Sequence, residues 1–117
     1  MIGNYLGNYI FDRFSISQNA PSMVGVYYCG WVDVSNLLHP LYIGRALGEA
    51  TSIRSRLLNH LNEGELEGVT HFGFRTCSNM TEATKLEQQE ITAFNPRHNV
   101  HGKTDLSKLL EALIGNR

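Results

Sequence analysis

The stretch Met23–Val32, MVGVYYCGWV, and the stretch Pro40–Gly44, PLYIG, decide how this chain folds. Both are rich in valine, isoleucine, tyrosine or tryptophan, the β-branched and aromatic residues that favour strands. The segment between them, Asp33–His39, is polar enough to form a hairpin loop. The sequence therefore predicts two neighbouring antiparallel strands.

Strand geometry also predicts which side chains of these two segments share a face. Successive residues of a strand point to opposite faces, so Gly25 and Tyr27 lie together on the first strand. By the same rule Tyr42 and Gly44 lie together on the second strand. If the strands pair as a hairpin, both phenols project into one site.

The elements that follow are predicted from the change in hydrophobic period. In chain order they are a helix over Ser52–Asn62 that stops at Gly64, a strand over Val69–Cys77, a helix over Thr81–Asn95 that stops at Pro96, and an amphipathic helix over 104–115. Ser78 and Thr81 are the candidate N-caps of the Thr81–Asn95 helix. Residues 1–22 fit neither period and are expected to form an N-terminal arm or short helix. The order β-β-α-β-α-α predicts an α+β domain with a small three-stranded antiparallel sheet flanked by helices.

Composition places the chain among single-domain globular proteins. It has 117 residues, enough for one hydrophobic core, and 42% hydrophobic residues with a formal net charge of −1, which excludes disorder as the main state. No apolar run approaches the roughly 20 residues that cross a bilayer. Cys29 and Cys77 are too few for a disulfide framework or a zinc cluster, so they are expected to be buried, reduced thiols in a cytoplasmic protein.

Two helices carry residues that suggest chemistry. Glu87 and Glu90 fall within the apolar arc of the Thr81–Asn95 helix, where a carboxylate needs a partner, a metal ion or a role in acid–base catalysis. Arg56 and His60 lie one turn apart at the edge of the apolar stripe of the Ser52–Asn62 helix. This edge is either exposed to solvent or a clamp that binds phosphate. The glycines form no phosphate-binding loop, and the histidines lack the spacing of a zinc site.

Five segments, in order, resemble the GIY-YIG nuclease family over Gly25 to Asn99. They are Gly25-Val26-Tyr27, Tyr42-Ile43-Gly44, the helix segment Ile53–Leu57, Leu86-Glu87 and the closing segment Asn95–Asn99. Within that family the chain is most similar to the nuclease domains of bacterial excision repair, because a glutamate is followed at the same spacing by an asparagine after a Pro-Arg pair.

The resemblance implies a metal-dependent endonuclease that hydrolyses DNA phosphodiester bonds with one Mg²⁺ or Mn²⁺ ion. It assigns Glu87 as the metal ligand, Tyr27 as the base or water-orienting group, Arg56 as the phosphate-binding arginine and Asn99 as a structural residue. The full implied set comprises the catalytic positions Tyr27, Tyr42, Arg56, His60, Glu87 and Asn99 and the substrate-binding positions Gly44, Arg45, Arg54 and Arg97.

The chain departs from the family pattern at two places. Leu47–Ala50 is interpreted as an insertion, which leaves Arg54 and Arg56 as alternatives for the phosphate-binding arginine, with Arg56 the better fit to the helix register. Arg45 stands where the excision-repair domains carry a lysine, and an arginine supplies charge without acting as a base.

The expected partner is DNA, double-stranded or branched, with no membrane association, and a homodimer or a larger protein partner remains open. The rival reading is a non-catalytic nucleic-acid- or protein-binding module on the same scaffold, which the net charge of −1 favours because nucleic-acid proteins usually present a basic surface. A third reading is a small metabolic enzyme that uses Glu87 and Glu90 as an acid pair.

Overall fold

The computed structural model describes residues 1–48 and 50–99, so the helix expected over 104–115 and one residue of the expected insertion lie outside the described residues. The elements are, in chain order, β1 (Leu6–Ile10), α1 (Arg13–Asn19), β2 (Gly25–Val32), β3 (Leu38–Ala46), α2 (Ile53–Glu63), β4 (His71–Thr76) and α3 (Met80–Phe94). None of the helices in this part of the chain is long and apolar enough to cross a membrane.

The α+β class and the antiparallel sheet are confirmed, with one strand more than expected. The sheet has four strands in the order β1-β4-β2-β3. The extra strand is β1, which comes from the segment expected to be an arm or a short helix, and α1 follows it. Leu6 and Tyr9 of β1 lie opposite Phe74 and Phe72 of β4. A neighbouring strand, rather than the local glycine-rich sequence, therefore stabilises β1.

Alternation along β2 divides the hydrophobic core between the two faces of the sheet. Tyr27 and Cys29 face the core beneath α1 and α2, with Ile16, Leu57 and Phe72. Val26 and Tyr28 of β2 face a second core, which lies beneath α3. The buried residues of this second core are Val26, Tyr28, Ile43, Cys77, Ala83 and Leu86. Both cysteines are buried and unpaired by disulfides. The fold is thus a sheet between two helical layers.

Local capping sets the helix boundaries. Ser52 is the N-cap of α2, and Gly64 ends that helix in the left-handed conformation, as the sequence predicts. The cap of α3 is Asn79, neither Ser78 nor Thr81, because the Asn79 side chain accepts the hydrogen bond from the Glu82 N–H.

The last turn of α3 departs from the expected apolar arc, which includes Ala93 and Phe94. Ala83 and Leu86 are buried, whereas Ala93 and Phe94 are exposed. The helix ends at Phe94, and its C-cap Asn95 is left-handed.

The closing segment pairs with β3, which among residues 1–48 and 50–99 has a strand neighbour, β2, on one side only. The N–H of His98 donates to the carbonyl of Leu41 at 2.7 Å. The side-chain amide of Asn99 accepts from the N–H of Ile43 at 2.8 Å and donates to its carbonyl at 2.7 Å. A single side chain therefore occupies both backbone groups of Ile43, as a neighbouring strand would.

Candidate active site

A large open cleft of about 990 Å³ lies beyond the β3 edge, where helices from both faces of the sheet meet. Strand β3, helices α2 and α3 and the closing segment all contribute to it. Its lining comprises Tyr42, Arg45, Leu47, Thr51, Arg56, Glu87, Gln88, Ile91, Thr92, Asn95 and Asn99. Five of the residues singled out from the sequence, Tyr42, Arg45, Arg56, Glu87 and Asn99, are thus brought to one surface from four segments of the chain.

The two candidate arginines of α2 have different surroundings. Arg56 lines the cleft, and its Nε is buried without a hydrogen-bond partner among the described residues. Arg54 does not line the cleft, and its Nε donates to the carbonyl of Ala20 at 2.7 Å. A buried donor without a partner costs about 1–3 kcal/mol, so it is a feature that needs an explanation.

The two acidic residues of α3 have separate partners. Glu87 is 13% exposed, and its Oε1 lies 2.8 Å from Nη1 of Arg45 on β3. Glu90 accepts a hydrogen bond of 2.6 Å from the hydroxyl of Tyr28. The two carboxylates therefore do not share a proton or a hydrogen-bond partner in this structure, which argues against the acid-pair reading.

Tyr27 lies fully buried behind the cleft wall. Its hydroxyl oxygen is 2.9 Å from Nε2 of His60, and its ring is 6.2 Å from that of Tyr42, centroid to centroid. Gly44 lies directly opposite on β3, where an added Cβ would meet the Tyr27 ring and hydroxyl at 2.4 Å. Gly44 thus makes room for the Tyr27 side chain.

The two tyrosines and the histidine have perturbed acidities. Burial raises the pKa of Tyr27 far above its ordinary value, the Tyr42 phenol raises it further, and the Arg56 guanidinium opposes both effects. Burial likewise raises the pKa of Tyr42 and lowers the pKa of His60. Arg56 thus places a positive charge beside Tyr27, but in this structure its effect on the pKa of Tyr27 does not outweigh that of burial.

Some residues that the sequence suggested do not line the cleft, and the site includes others that the sequence did not suggest. Arg97 is exposed and does not line the cleft. The end of its side chain lies beside Gly68 instead. Sequence reasoning missed Gln88 and Thr92, whose spacing of one helical turn on α3 is the signal that would have found them. It also missed Glu65, whose carboxylate lies 3.1 Å from Nδ1 of His60.

Two places on the described residues offer ligands for a cation. One is the Glu87 carboxylate, which faces the cleft. The other is the group His60, Glu63 and Glu65, whose ligand atoms lie within 4.8 Å of one another, although both acids are exposed. In the second group, Nδ1 of His60 is already engaged by Glu65.

Comparison with known proteins gives structural matches but no sequence-level ones. No protein-family model matches the sequence, and no curated protein matches it. One solved structure, the GIY-YIG N-terminal endonuclease domain of UvrC from Thermotoga maritima, is 26% identical, with a TM-score of 0.50 over 70% of this chain and 91% of that chain. That structure is a Tyr-to-Phe mutant bound to its catalytic divalent cation.

Two further structures of the same Thermotoga maritima domain match over the same shares of both chains. Each is 24% identical with a TM-score of 0.50, and each is a point mutant bound to the catalytic divalent cation. One replaces a tyrosine with phenylalanine and the other an asparagine with alanine. At this level of identity these two matches concern the fold. The described part of this chain therefore has the fold of a GIY-YIG endonuclease domain.

Proposed function

We propose that this chain is a metal-dependent endonuclease that hydrolyses phosphodiester bonds in DNA. The observation that carries the proposal is a convergence across the cleft. Arg56, whose buried Nε has no hydrogen-bond partner among the described residues, and Glu87 line the same open surface. Cleaving a phosphodiester requires a cationic group on the phosphate oxygens and an anchor for a hard metal ion, and these two side chains are suited to those tasks.

Arg56 binds the scissile phosphate in this proposal. A guanidinium presents a planar fork of donors that matches two phosphate oxygens, and such charge-assisted bonds are stronger than neutral ones. A phosphate in the cleft would supply the acceptor that the buried Nε of Arg56 lacks among the described residues. The Arg54 guanidinium is instead anchored to the N-terminal segment through Ala20.

The Glu87 carboxylate fits a divalent cation. Mg²⁺ is commonly held by one or two carboxylates together with waters and substrate phosphate oxygens, so a single protein ligand beside a phosphate site is sufficient. Arg45 bonds Oε1 of Glu87, and that pair must loosen when a cation binds. When bound, the ion would supply charge stabilisation for the phosphate oxygens and the leaving oxygen.

Tyr27, the expected base or water-orienting group, is fully buried and does not line the cleft. In this proposal Tyr42, which lines the cleft, meets the attacking water, and Tyr27 beside it accepts the proton that Tyr42 passes on. The Tyr27 hydroxyl has His60 Nε2 as a partner at 2.9 Å and the cleft-lining Arg56 as its positive neighbour. Asn99 holds β3 at Ile43, between Tyr42 and Gly44, and so keeps the wall in register. The matching solved structure, an endonuclease domain bound to its catalytic divalent cation, supports the proposal of a metal-dependent endonuclease.

A non-catalytic nucleic-acid- or protein-binding module is the alternative, and the net charge of −1, which does not suit a surface that acts on DNA phosphates, counts against the enzyme. The discriminating experiment is cleavage of supercoiled plasmid DNA by the full chain, with Mg²⁺, with Mn²⁺ and with EDTA. We expect nicking that depends on the metal ion and is lost in Glu87→Gln, while Glu90→Gln remains active. Plasmid bound but never nicked, under any of these ions, would support the alternative and refute the enzyme.

A further inference from the structure

A chain of three polar side chains runs from the buried core of the site to the protein surface. The Tyr27 hydroxyl oxygen lies 2.9 Å from Nε2 of His60, and Nδ1 of the same ring lies 3.1 Å from Oε1 of Glu65. His60 is buried on the last turn of α2, whereas Glu65, just beyond the helix, is 53% exposed on its side chain. The acid therefore reaches the imidazole from outside the cleft.

The chemistry of these groups sets the direction of both hydrogen bonds. A carboxylate only accepts, so Nδ1 of His60 carries the proton and donates to Glu65. A neutral imidazole has one N–H, which leaves Nε2 as an acceptor for the Tyr27 hydroxyl. Burial lowers the pKa of His60, which favours this neutral ring.

We propose that Glu65 is a positioning residue that holds His60 in the Nδ1–H tautomer, so that the imidazole accepts the hydroxyl proton of Tyr27. This inference rests on the endonuclease function proposed above and deepens it. Glu65 touches neither the cleft nor Tyr27 among the contacts described, so it acts through His60.

The proton balance of the hydrolysis explains what Glu65 contributes. As the water oxygen bonds to phosphorus, its proton passes to the oxygen of Tyr42, which lines the cleft. The Tyr42 proton passes to the oxygen of the buried Tyr27 beside it, and the Tyr27 proton passes to Nε2 of His60. The bond from phosphorus to the leaving oxygen breaks, and a proton from solvent neutralises that oxygen. His60 is then an imidazolium, and the negative charge of Glu65 stabilises it, as the carboxylate does in an acid–histidine–nucleophile triad.

Other groups around His60 bear on the test. Tyr27 faces the ring from β2 and Tyr42 from β3, with ring centroids at 5.7 Å and 4.9 Å. On α2 itself, Arg56 lowers the pKa of His60 and Glu63 raises it. On the packed helix α1, Arg13 donates to Asn62. Glu63 thus supplies a matched control, an exposed acid beside the ring with no hydrogen bond to it among those described.

The direct experiment is NMR of the His60 ring nitrogens in the full chain near pH 7.5, with the signals assigned by their loss in His60→Gln. We expect the Nδ1–H tautomer in wild type and in Glu63→Gln, and a shift toward the Nε2–H tautomer in Glu65→Ala. Glu65 is exposed, so the variant should fold, and an unchanged melting temperature would verify this. The same tautomer in Glu65→Ala as in wild type, or an equal shift in Glu63→Gln, would overturn the proposal.

A kinetic measurement provides the second readout. Glu65→Ala should cleave about ten-fold more slowly, the loss typical of removing a group that orients a functional histidine. In Glu65→Gln the acid limb of the pH–rate profile should move to lower pH, because His60 loses the anion that favours its protonation, and Glu63→Gln should move it less. An unmoved limb in Glu65→Gln contradicts the inference. Should wild type cleave no DNA, the endonuclease function fails, while the tautomer still decides whether Glu65 positions His60.

Discussion

Arg45 on β3 and Glu87 on α3 form an ion pair across the mouth of the cleft, with Nη1 of Arg45 2.8 Å from Oε1 of Glu87. From the sequence, Glu87 in an apolar arc needed a partner, a metal ion or a catalytic role. In this structure a cation of the chain itself balances it. A divalent ion that uses Glu87 must therefore compete with the Arg45 guanidinium.

This competition predicts how metal ions change thermal stability. Mg²⁺ or Mn²⁺ should raise the melting temperature of wild type, because a ligand that binds only the folded state stabilises it. Arg45→Met should show a larger rise at the same ion concentration, since no guanidinium competes, and Glu87→Gln should show none. Differential scanning fluorimetry over a series of ion concentrations measures all three. Glu90→Gln changes the hydrogen bond with Tyr28 but should retain the wild-type rise in melting temperature. Equal rises in wild type and Glu87→Gln would show that the ion binds elsewhere.

Replacing Arg56 should separate activity from stability. Arg56→Ala should lower the cleavage rate by about 10²–10³, the usual cost of removing one group that stabilises transition-state charge. The melting temperature should not fall, because the variant also removes a buried Nε without a partner among the described residues. Arg54→Ala is the counterpart: it should melt lower, having lost the bond to Ala20, with a far smaller loss of cleavage. Nicking kinetics and melting curves measure both variants. If Arg54→Ala lost cleavage and Arg56→Ala did not, Arg54 would be the phosphate-binding arginine.

Asn99→Ala should destabilise β3 locally. The substitution leaves the N–H and the carbonyl of Ile43 without their side-chain partner, at a cost of about 1–3 kcal/mol in the free energy of unfolding. Hydrogen exchange at the Ile43 amide should accelerate relative to that of Tyr28, its opposite residue on β2. In Asn99→Asp the acceptor remains and the donor is lost, so Ile43 exchange should be intermediate. Unchanged exchange in Asn99→Ala would show that the amide does not secure the strand.

Gly44→Ala should destabilise the chain by about 1–3 kcal/mol, the usual cost of inserting a methyl group into a packed core. The added Cβ would meet the ring and hydroxyl of Tyr27 at 2.4 Å, and that ring is fully buried. Gly48→Ala is the matched control, because its Cβ meets nothing within 4 Å. Urea unfolding gives both values. Adding Tyr27→Phe to Gly44→Ala should recover part of the loss, and additive effects would argue against a direct clash.

The buried imidazole of His60 predicts a pH-dependent stability. Burial lowers the pKa of His60 below its ordinary value of 6.5, so the unfolded chain takes up a proton at a higher pH than the folded chain does. The free energy of unfolding should therefore fall as the pH drops from about 7 to about 5, where the unfolded state binds more protons. His60→Gln should lack this contribution. Urea unfolding of both proteins at several pH values checks it, and parallel stability curves would exclude His60 as the source.

The strands and helices that bear the motifs could be predicted from the sequence. The β-branched and aromatic residues of Met23–Val32 predicted β2, and the stripe of Ile53 and Leu57 predicted α2 because its spacing matches the period of a helix. The likeness to GIY-YIG nucleases, based on five short segments, predicted the fold that the structural comparison confirms. These features are local in sequence, so they are readable without coordinates.

Which charged groups meet depends on how the chain packs. The strand β1 forms because β4 offers it an edge, and its own sequence contains no clear period. Arg45 and Glu87 are far apart in sequence, as are Tyr27 and His60, and each pair forms because β3, α2 and α3 converge at one edge of the sheet. Periodicity shows which face of an element is apolar, but it carries no information about which partner packs there. The choice between Arg54 and Arg56 for the cleft, and the pairing of Glu65 with His60, therefore required the packed chain.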